Sequence, residues 1–380
     1  VTFSGQYRLR GEYVDNQDRV NATEDEGDFW AQRVRLTANA KATDDVSAKI
    51  TIQDTRVWGA TGVLSDAGMN TLDLHEAYLN VSNIFGTPVS LRAGRQELAY
   101  GDERLIGSFG WSNFGRAFDG VKLMYANDAV NVDVFSTVVT ELGNGVASGF
   151  PTGATTGMQD NTFSGIYATL KQIVPNNTLD VYFLHQNYRQ VAPVESTRYT
   201  TGARLKGAAA GVDYTAEGAY QFGETSGTDI AAYAFAVKAG YTLPTPMKIR
   251  VGAEYDYATG DDSDLTETEA FDNLFPTNHA HFGIGDVVNT WSDIQAWSVN
   301  ASADVTDQIR LYAAYWDYTE QETAAGVDDD LGSEIDVVVT YKYNNNVSIE
   351  AGVARFMPGD QAGVNDDARD WAYLQITGNI

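Results

Sequence analysis

The chain contains no cysteine, which excludes disulfides, thiolate metal centres and c-type haem attachment. It also lacks any long apolar run: the longest nearly apolar stretch, Ile230 to Val237, falls far short of the roughly 20 residues a membrane-crossing helix needs. Helical anchoring is thereby excluded. A barrel is not, because its strands need only about 9–11 residues each and hide their hydrophobicity by alternation. Basic residues are scarce, 25 Lys and Arg against 52 Asp and Glu for a formal net charge of −27, which makes nucleic acid an unsuitable partner. Histidine is scarcer still: of His75, His185, His279 and His281, only the last two are close, in FPTNHAHFG, with no third histidine nearby. No GxSxG motif or catalytic triad is present, and no enzyme is expected. Nor does any composition shift or Pro/Ser-rich linker divide the chain, so residues 1–380 read as one domain of repeated units.

What the sequence does contain is period-two alternation. In VTFSGQYRLRGEYV, the residues Val1, Phe3, Tyr7, Leu9 and Tyr13 fall on one face, with Arg8, Arg10 and Glu12 on the other; that pattern means strand. The same reading places strands near 1–14, 30–42, 46–58, 73–83, 89–100, 118–126, 129–139, 162–172, 178–189, 197–207, 210–222, 230–242, 247–258, 290–303, 308–318, 332–343, 347–357 and 370–379, a total of 18. Short turns such as 43–45, 85–88, 127–128, 208–209, 304–307 and 344–346 alternate with long loops at 15–29, 59–72, 101–117, 140–161, 259–289 and 319–331. Short turns on one side and long loops on the other mark an all-β, antiparallel transmembrane barrel of the bacterial outer membrane, with periplasmic turns and extracellular loops. Eighteen strands enclose an aqueous lumen rather than a packed core, so the simplest function is a channel. Val1 already begins a strand, and the chain reads as mature with any export signal removed. Its end, ITGNI, lacks a final aromatic residue and reads as stopping short of the true terminus.

With the apolar face turned to lipid, the lumen receives Arg8, Arg10, Arg33, Arg35, Lys49, Arg92 and Lys122 from the first six strands. Later strands bring Asp213, Glu217, Glu254, Asp256, Glu334, Asp336 and Glu350, beside Lys248 and Arg250. The expectation is a basic wall facing a mixed or acidic one, a transverse field that favours anions. Any single arginine is accounted for by ordinary cross-strand pairing, but Arg8, Arg10, Arg33 and Arg35 together, with only Glu12 close in sequence, call for an anion. Arg95 stays open. Strict alternation from Leu91 and Ala93 points it at lipid, at a cost of a few kcal/mol near the midplane, unless a bulge at Gly94 turns it inward or it snorkels from the interface.

Most of the negative charge lies in loops. It suits a solvated surface, divalent bridging to lipopolysaccharide phosphates, or a calcium site at Asp261, Asp262 and Asp264, although EF-hand spacing is absent. No other cofactor is expected.

GRQELAYGDERLIGSFGWSNFGRAFDGVKL at 94–123 resembles the signature of the alginate-export family of outer-membrane barrels. So do FDNLFPTNHAHFGIGD at 271–286, LGSEIDVVVTYKY at 331–343 and GVARFMPGD at 352–360. The resemblance implies a monomeric barrel of 18 strands with an arginine-rich, anion-selective constriction. It places Arg95, Arg104, Arg116 and Asp119 at or near that constriction and matches His279 to the family's loop histidine. Dedicated exporters are longer and close the periplasmic side with an extended turn before the penultimate strand, where this chain has only Asn344–Asn346. A passive channel for small hydrophilic, anionic solutes is therefore expected, gated from outside by the loops at 59–72 and 101–117. The alternatives are a polysaccharide exporter with periplasmic partners and a structural sheath or adhesin barrel without conductance.

Overall fold

The computed structural model describes residues 1–19, 25–60, 72–142, 159–171, 173, 175–189, 195–262, 266–362 and 367–380. Much of the expected gating loop at 59–72 and of the loop at 140–161 lies outside the described residues, as does Asp264 of the expected calcium site.

Alternation produces the strands it forecasts. They are β1 (Thr2–Asp15), β2 (Gly27–Lys41), β3 (Val46–Val57), β4 (Leu72–Val81), β5 (Val89–Gln96), β6 (Phe118–Ala126), β7 (Val130–Leu142), β8 (Gln159–Leu170) and β9 (Asn177–Arg189). The second half comprises β10 (Glu195–Ala209), β11 (Val212–Thr225), β12 (Thr228–Thr242), β13 (Arg250–Ala258), β14 (Ile294–Asp304), β15 (Ile309–Glu320), β16 (Asp330–Lys342), β17 (Val347–Pro358) and β18 (Arg369–Asn379). Each stave pairs antiparallel with its neighbours in sequence. The barrel closes where β1 pairs with β2 at Tyr7↔Val34 and with β18 at Tyr7↔Gly378. The sheet's remaining member, Glu267–Thr268, is a two-residue parallel pairing on β12 and not a stave. Closure leaves no sheet edge, the condition for surviving in hydrocarbon.

Leu36, Ile50, Leu79, Leu123, Val237 and Val353 stand exposed on the outer face, while Arg8, Arg10 and Arg33 are buried inside. The alternation therefore separates lipid from lumen as expected.

Three local features depart from the sequence reading. β11 and β12 run longer than expected and meet in a two-residue hairpin at Ser226 and Gly227, both with positive φ (51° and 85°), so one outer connection is not a long loop. Lys248 lies in a short turn and is exposed, not on the lumen wall. A bulge in the β3–β4 pairing leaves His75 as an extra residue, and His75 and Glu76 are both buried; an inserted residue breaks the alternation and aims consecutive side chains the same way.

The largest departure concerns the lumen. It holds a packed apolar cluster rather than water throughout. Leu98, Leu105 and Ile106 from the 97–117 connection and Phe271, Phe282 and Trp291 from the 259–293 connection are buried against wall residues that include Phe118, Phe163, Tyr182, Trp316, Tyr318 and Phe356. Each such aromatic side chain removed from water contributes about 2–3 kcal/mol, enough to draw two long connections inward.

Candidate functional site

The two inward connections are tied into one body. Phe275 N–H donates to Leu105 O (2.9 Å), Gly107 N–H to Phe275 O (2.7 Å) and Thr277 N–H to Glu103 O (2.9 Å), around a parallel bridge between Ile106 and Phe275. Thr277 Oγ1 donates to Glu103 Oε2 at 2.7 Å, and Phe109 N–H donates to Thr277 Oγ1 at 2.9 Å. Buried backbone groups need partners, and here the two segments supply them to each other. Trp111 and the His279 ring stack in parallel, with centroids 3.8 Å apart, joining the segments a second time.

One end of this body rests on the arginines of β1 and β2. Arg8 donates to Gly110 O (3.0 Å), Ser112 O (2.7 Å) and Asn113 Oδ1 (3.0 Å). Arg33 donates to the same two carbonyls at 3.0 and 2.9 Å and to Gln6 Oε1. Arg10 bonds Glu12 at 2.6 Å and Trp111 O at 2.8 Å, with its guanidinium 4.1 Å from the Trp111 ring centroid. Arg35 reaches Gln53, and lies 3.4 Å from Glu97. Arg8, Arg10 and Arg33 thus grip the 110–112 backbone, and Arg35 reaches Phe114 O at 3.5 Å. Arg8 and Arg33 spend their donors on neutral oxygens, so their charge has no carboxylate in ion-pair contact among the described residues.

The other end reaches the opposite wall through ion pairs. Arg104, 3% exposed, pairs with Glu254 and, at 2.7 Å, with Asp256, both on β13. Asp102 meets Arg204 of β10 and Lys238 of β12, the latter at 2.9 Å. Burial opposes ionisation of Asp102, but the Lys238 and Arg204 charges outweigh it and hold the carboxyl well below the usual range. Burial and the Arg104 and Lys238 charges hold the His281 imidazole neutral; its Nε2 donates to Asp102 O at 2.8 Å. Arg116, half-buried, donates to the carbonyls of Gly107, Phe275 and Pro276.

Of the other lumen residues expected from sequence, Lys49 pairs with Glu76, and Lys122 lies 3.0 Å from Asp133. Arg92 stacks over Tyr78 at 4.2 Å. Arg95 and Asp119 require a correction. They sit opposite each other in an unbroken β5–β6 register, share the parity of the outward-facing Val121 and Leu123, and form a 2.7 Å ion pair near the loop end of the strands. Both therefore face outward: Gly94 has φ +126° but no extra residue shifts the ladder. At the interface each neutralises the other. Asp261 is engaged with the backbone N–H groups of Glu269 and Ala270. Among the described residues no trio of His, Cys, Asp or Glu stands close enough to hold a metal ion.

Sequence reasoning missed Glu97, which accepts from His75 at 2.7 Å, and the Asp102 hub. Burial would raise the Glu97 carboxyl, but the His75 hydrogen bond and the Arg35 charge bring it below its ordinary value. The one available signal was the charge run DER at 102–104, which opens a loop of otherwise apolar and glycine character.

Comparison with known proteins bears on the fold and the family. No curated protein matches the chain significantly. Among solved structures, Pseudomonas aeruginosa OccK3 (OpdO) is similar with a TM-score of 0.67 at 15% identity, over 100% of this chain and 95% of that one. Acinetobacter baumannii OccAB4 is similar with a TM-score of 0.67 at 13% identity, over 100% and 99%. The outer membrane protein OprD from Pseudomonas aeruginosa gives 0.65 at 12%, over 100% and 93%. At such identities the likeness is one of fold, that of the OprD-like outer-membrane channels. The family model described as Alginate export matches residues 1–371, and with nearly the whole barrel inside that match the chain belongs to the alginate-export family.

Proposed function

We propose that the chain is a monomeric diffusion channel for small hydrophilic solutes with a preference for anions, drawn along the basic wall of β1 to β6. The observation that carries this reading is the state of Arg8 and Arg33: both are anchored by neutral carbonyls, so they hold the constricting segment in place and keep their charge uncompensated. A fixed charge in a partly dry lumen acts on a passing ion more strongly than in bulk water. Towards the short-turn end, a cavity of about 370 Å³ continues the same wall, lined by Lys49, Arg92, Asn39, Asn80 and Tyr78. The far wall carries more acids than bases, Glu217, Glu334 and Asp336 among them, while Glu254, Asp256 and Asp180 are committed to Arg104 and Arg204. The field therefore points across the passage, positive on the β1 side.

Polymer export is less favoured. A long chain would have to displace two segments that are hydrogen-bonded to each other and to both walls, and the 344–346 turn is too short to act as a periplasmic lid. No catalytic role belongs to this reading, and the outward surface takes membrane lipid and lipopolysaccharide.

Swelling of liposomes containing the purified protein tests the proposal. Small carboxylates are expected to enter several-fold faster than amines of matched size; equal or faster entry of the amines would overturn the anion preference.

A further inference from the structure

We propose that Glu334 and Asp336 share a single proton, and that this proton latches the inward segment at residues 282–286 to the barrel wall. The two acids lie two residues apart on β16, on the same lumen face, and are 0% and 1% exposed. One oxygen of each is committed to the segment's backbone: Gly285 N–H donates to Glu334 Oε1 at 2.9 Å and Ile284 N–H to Asp336 Oδ2 at 3.3 Å. The other oxygen of each, Glu334 Oε2 and Asp336 Oδ1, is buried with no donor partner. Two residues apart on one face of the strand, the two carboxyl groups are buried neighbours, each left with an oxygen that no donor reaches. Ionised carboxylates only accept, so a proton held by one of the pair is the donor this site lacks. Two like charges side by side in a water-poor site behave as a dyad that retains one proton.

The surroundings supply little countercharge. Facing the pair are Asp286 on the segment itself, Tyr312 and Tyr318 on β15, and Arg369 and Tyr373 on β18. Arg369, the cation among them, donates to Gly285 O at 2.7 Å, and Tyr318 OH donates to Phe282 O at 2.7 Å. Both bonds reinforce the docking. The fit is close: a Cβ at Gly283 would stand 2.2 Å from Glu334 Oε1, and one at Gly285 2.7 Å from Glu334 Oε2. Glycine lets the backbone sit directly on the carboxyls. A few residues upstream, the same segment carries His279, stacked on Trp111, so releasing it loosens the joint between both inward connections.

The sign follows. With the proton present, one negative charge is buried and the contact holds. Once it leaves, two adjacent carboxylates repel, and the 282–286 segment lifts away as pH rises. This holds whichever ion the channel prefers.

Infrared spectroscopy of the reconstituted full chain, with single-channel recording, decides it. Wild-type protein at neutral pH is expected to show the C=O band of a protonated carboxylic acid, lost on alkaline titration together with a step in conductance. Glu334→Gln/Asp336→Asn, whose amides keep a side-chain hydrogen bond without a titrating proton, is expected to lack both the band and the step and to stay latched. An acid band and a conductance profile left unchanged by the double substitution would overturn the proposal. If the double variant fails to insert, Asp336→Asn alone decides it: loss of the band supports the shared proton, and an intact band refutes it.

Discussion

Replacing Arg104 by methionine is expected to undock the 97–117 segment from the far wall. Arg104 is 3% exposed and is the cation paired with both Glu254 and Asp256, the latter fully buried. Removing one member of a buried ion pair leaves the others uncompensated and costs about 3–5 kcal/mol. That exceeds what one further hydrogen bond of the body contributes, about 1 kcal/mol, so the segment rather than the barrel gives way. Limited proteolysis of Arg104→Met should cut within 97–117 where wild type resists, and mean conductance should rise. Adding Glu254→Gln and Asp256→Asn removes the stranded charges and should restore protection. Unchanged protection in Arg104→Met would show that the apolar cluster alone holds the segment.

The second large effect separates charge from geometry in the arginines of β1 and β2. Arg8→Gln/Arg33→Gln removes two uncompensated charges. Each shifts the free-energy difference between a passing anion and a passing cation by on the order of 1 kcal/mol at intermediate dielectric, so losing the pair should lower the anion-to-cation permeability ratio roughly thirtyfold. Arg8→Lys/Arg33→Lys keeps the charge but loses the planar fork that reaches Gly110 O and Ser112 O together. That variant should retain selectivity while its open-channel current becomes noisier, because the 110–112 backbone is no longer gripped. If both variants behaved alike, the arginines would serve only as struts.

The barrel was legible in the sequence because a strand's two faces meet two different solvents. Phe3, Tyr7 and Tyr13 against Arg8 and Arg10 state the lipid and lumen sides directly, and every expected stave is found within a few residues. The interior was not legible, for identifiable reasons. Ile106 and Phe275 belong to segments that each read as an outer loop, and nothing local tells either that its partner lies across the barrel. The oxygens that Arg8 and Arg33 share, Gly110 O and Ser112 O, are backbone carbonyls, which any sequence possesses. Alternation brought Arg95 to the choice between bulge and interface; the unbroken register opposite Asp119 gives the outward placement. The inward His75 depends on a bulge that periodicity cannot foresee. The sequence reading ends one strand at 222 and resumes at 230, where polar residues replace the alternation, so it misses the hairpin at Ser226–Gly227, whose pairing continues to Thr225 and Thr228.

The most direct test is the reversal potential of the purified wild-type protein in a planar bilayer under a potassium chloride gradient. A positive wall on the β1 side predicts a potential displaced towards the chloride equilibrium value, shrinking towards zero in Arg8→Gln/Arg33→Gln. A displacement towards the potassium value in wild type would contradict it, and would place control of the passage with the acidic residues instead.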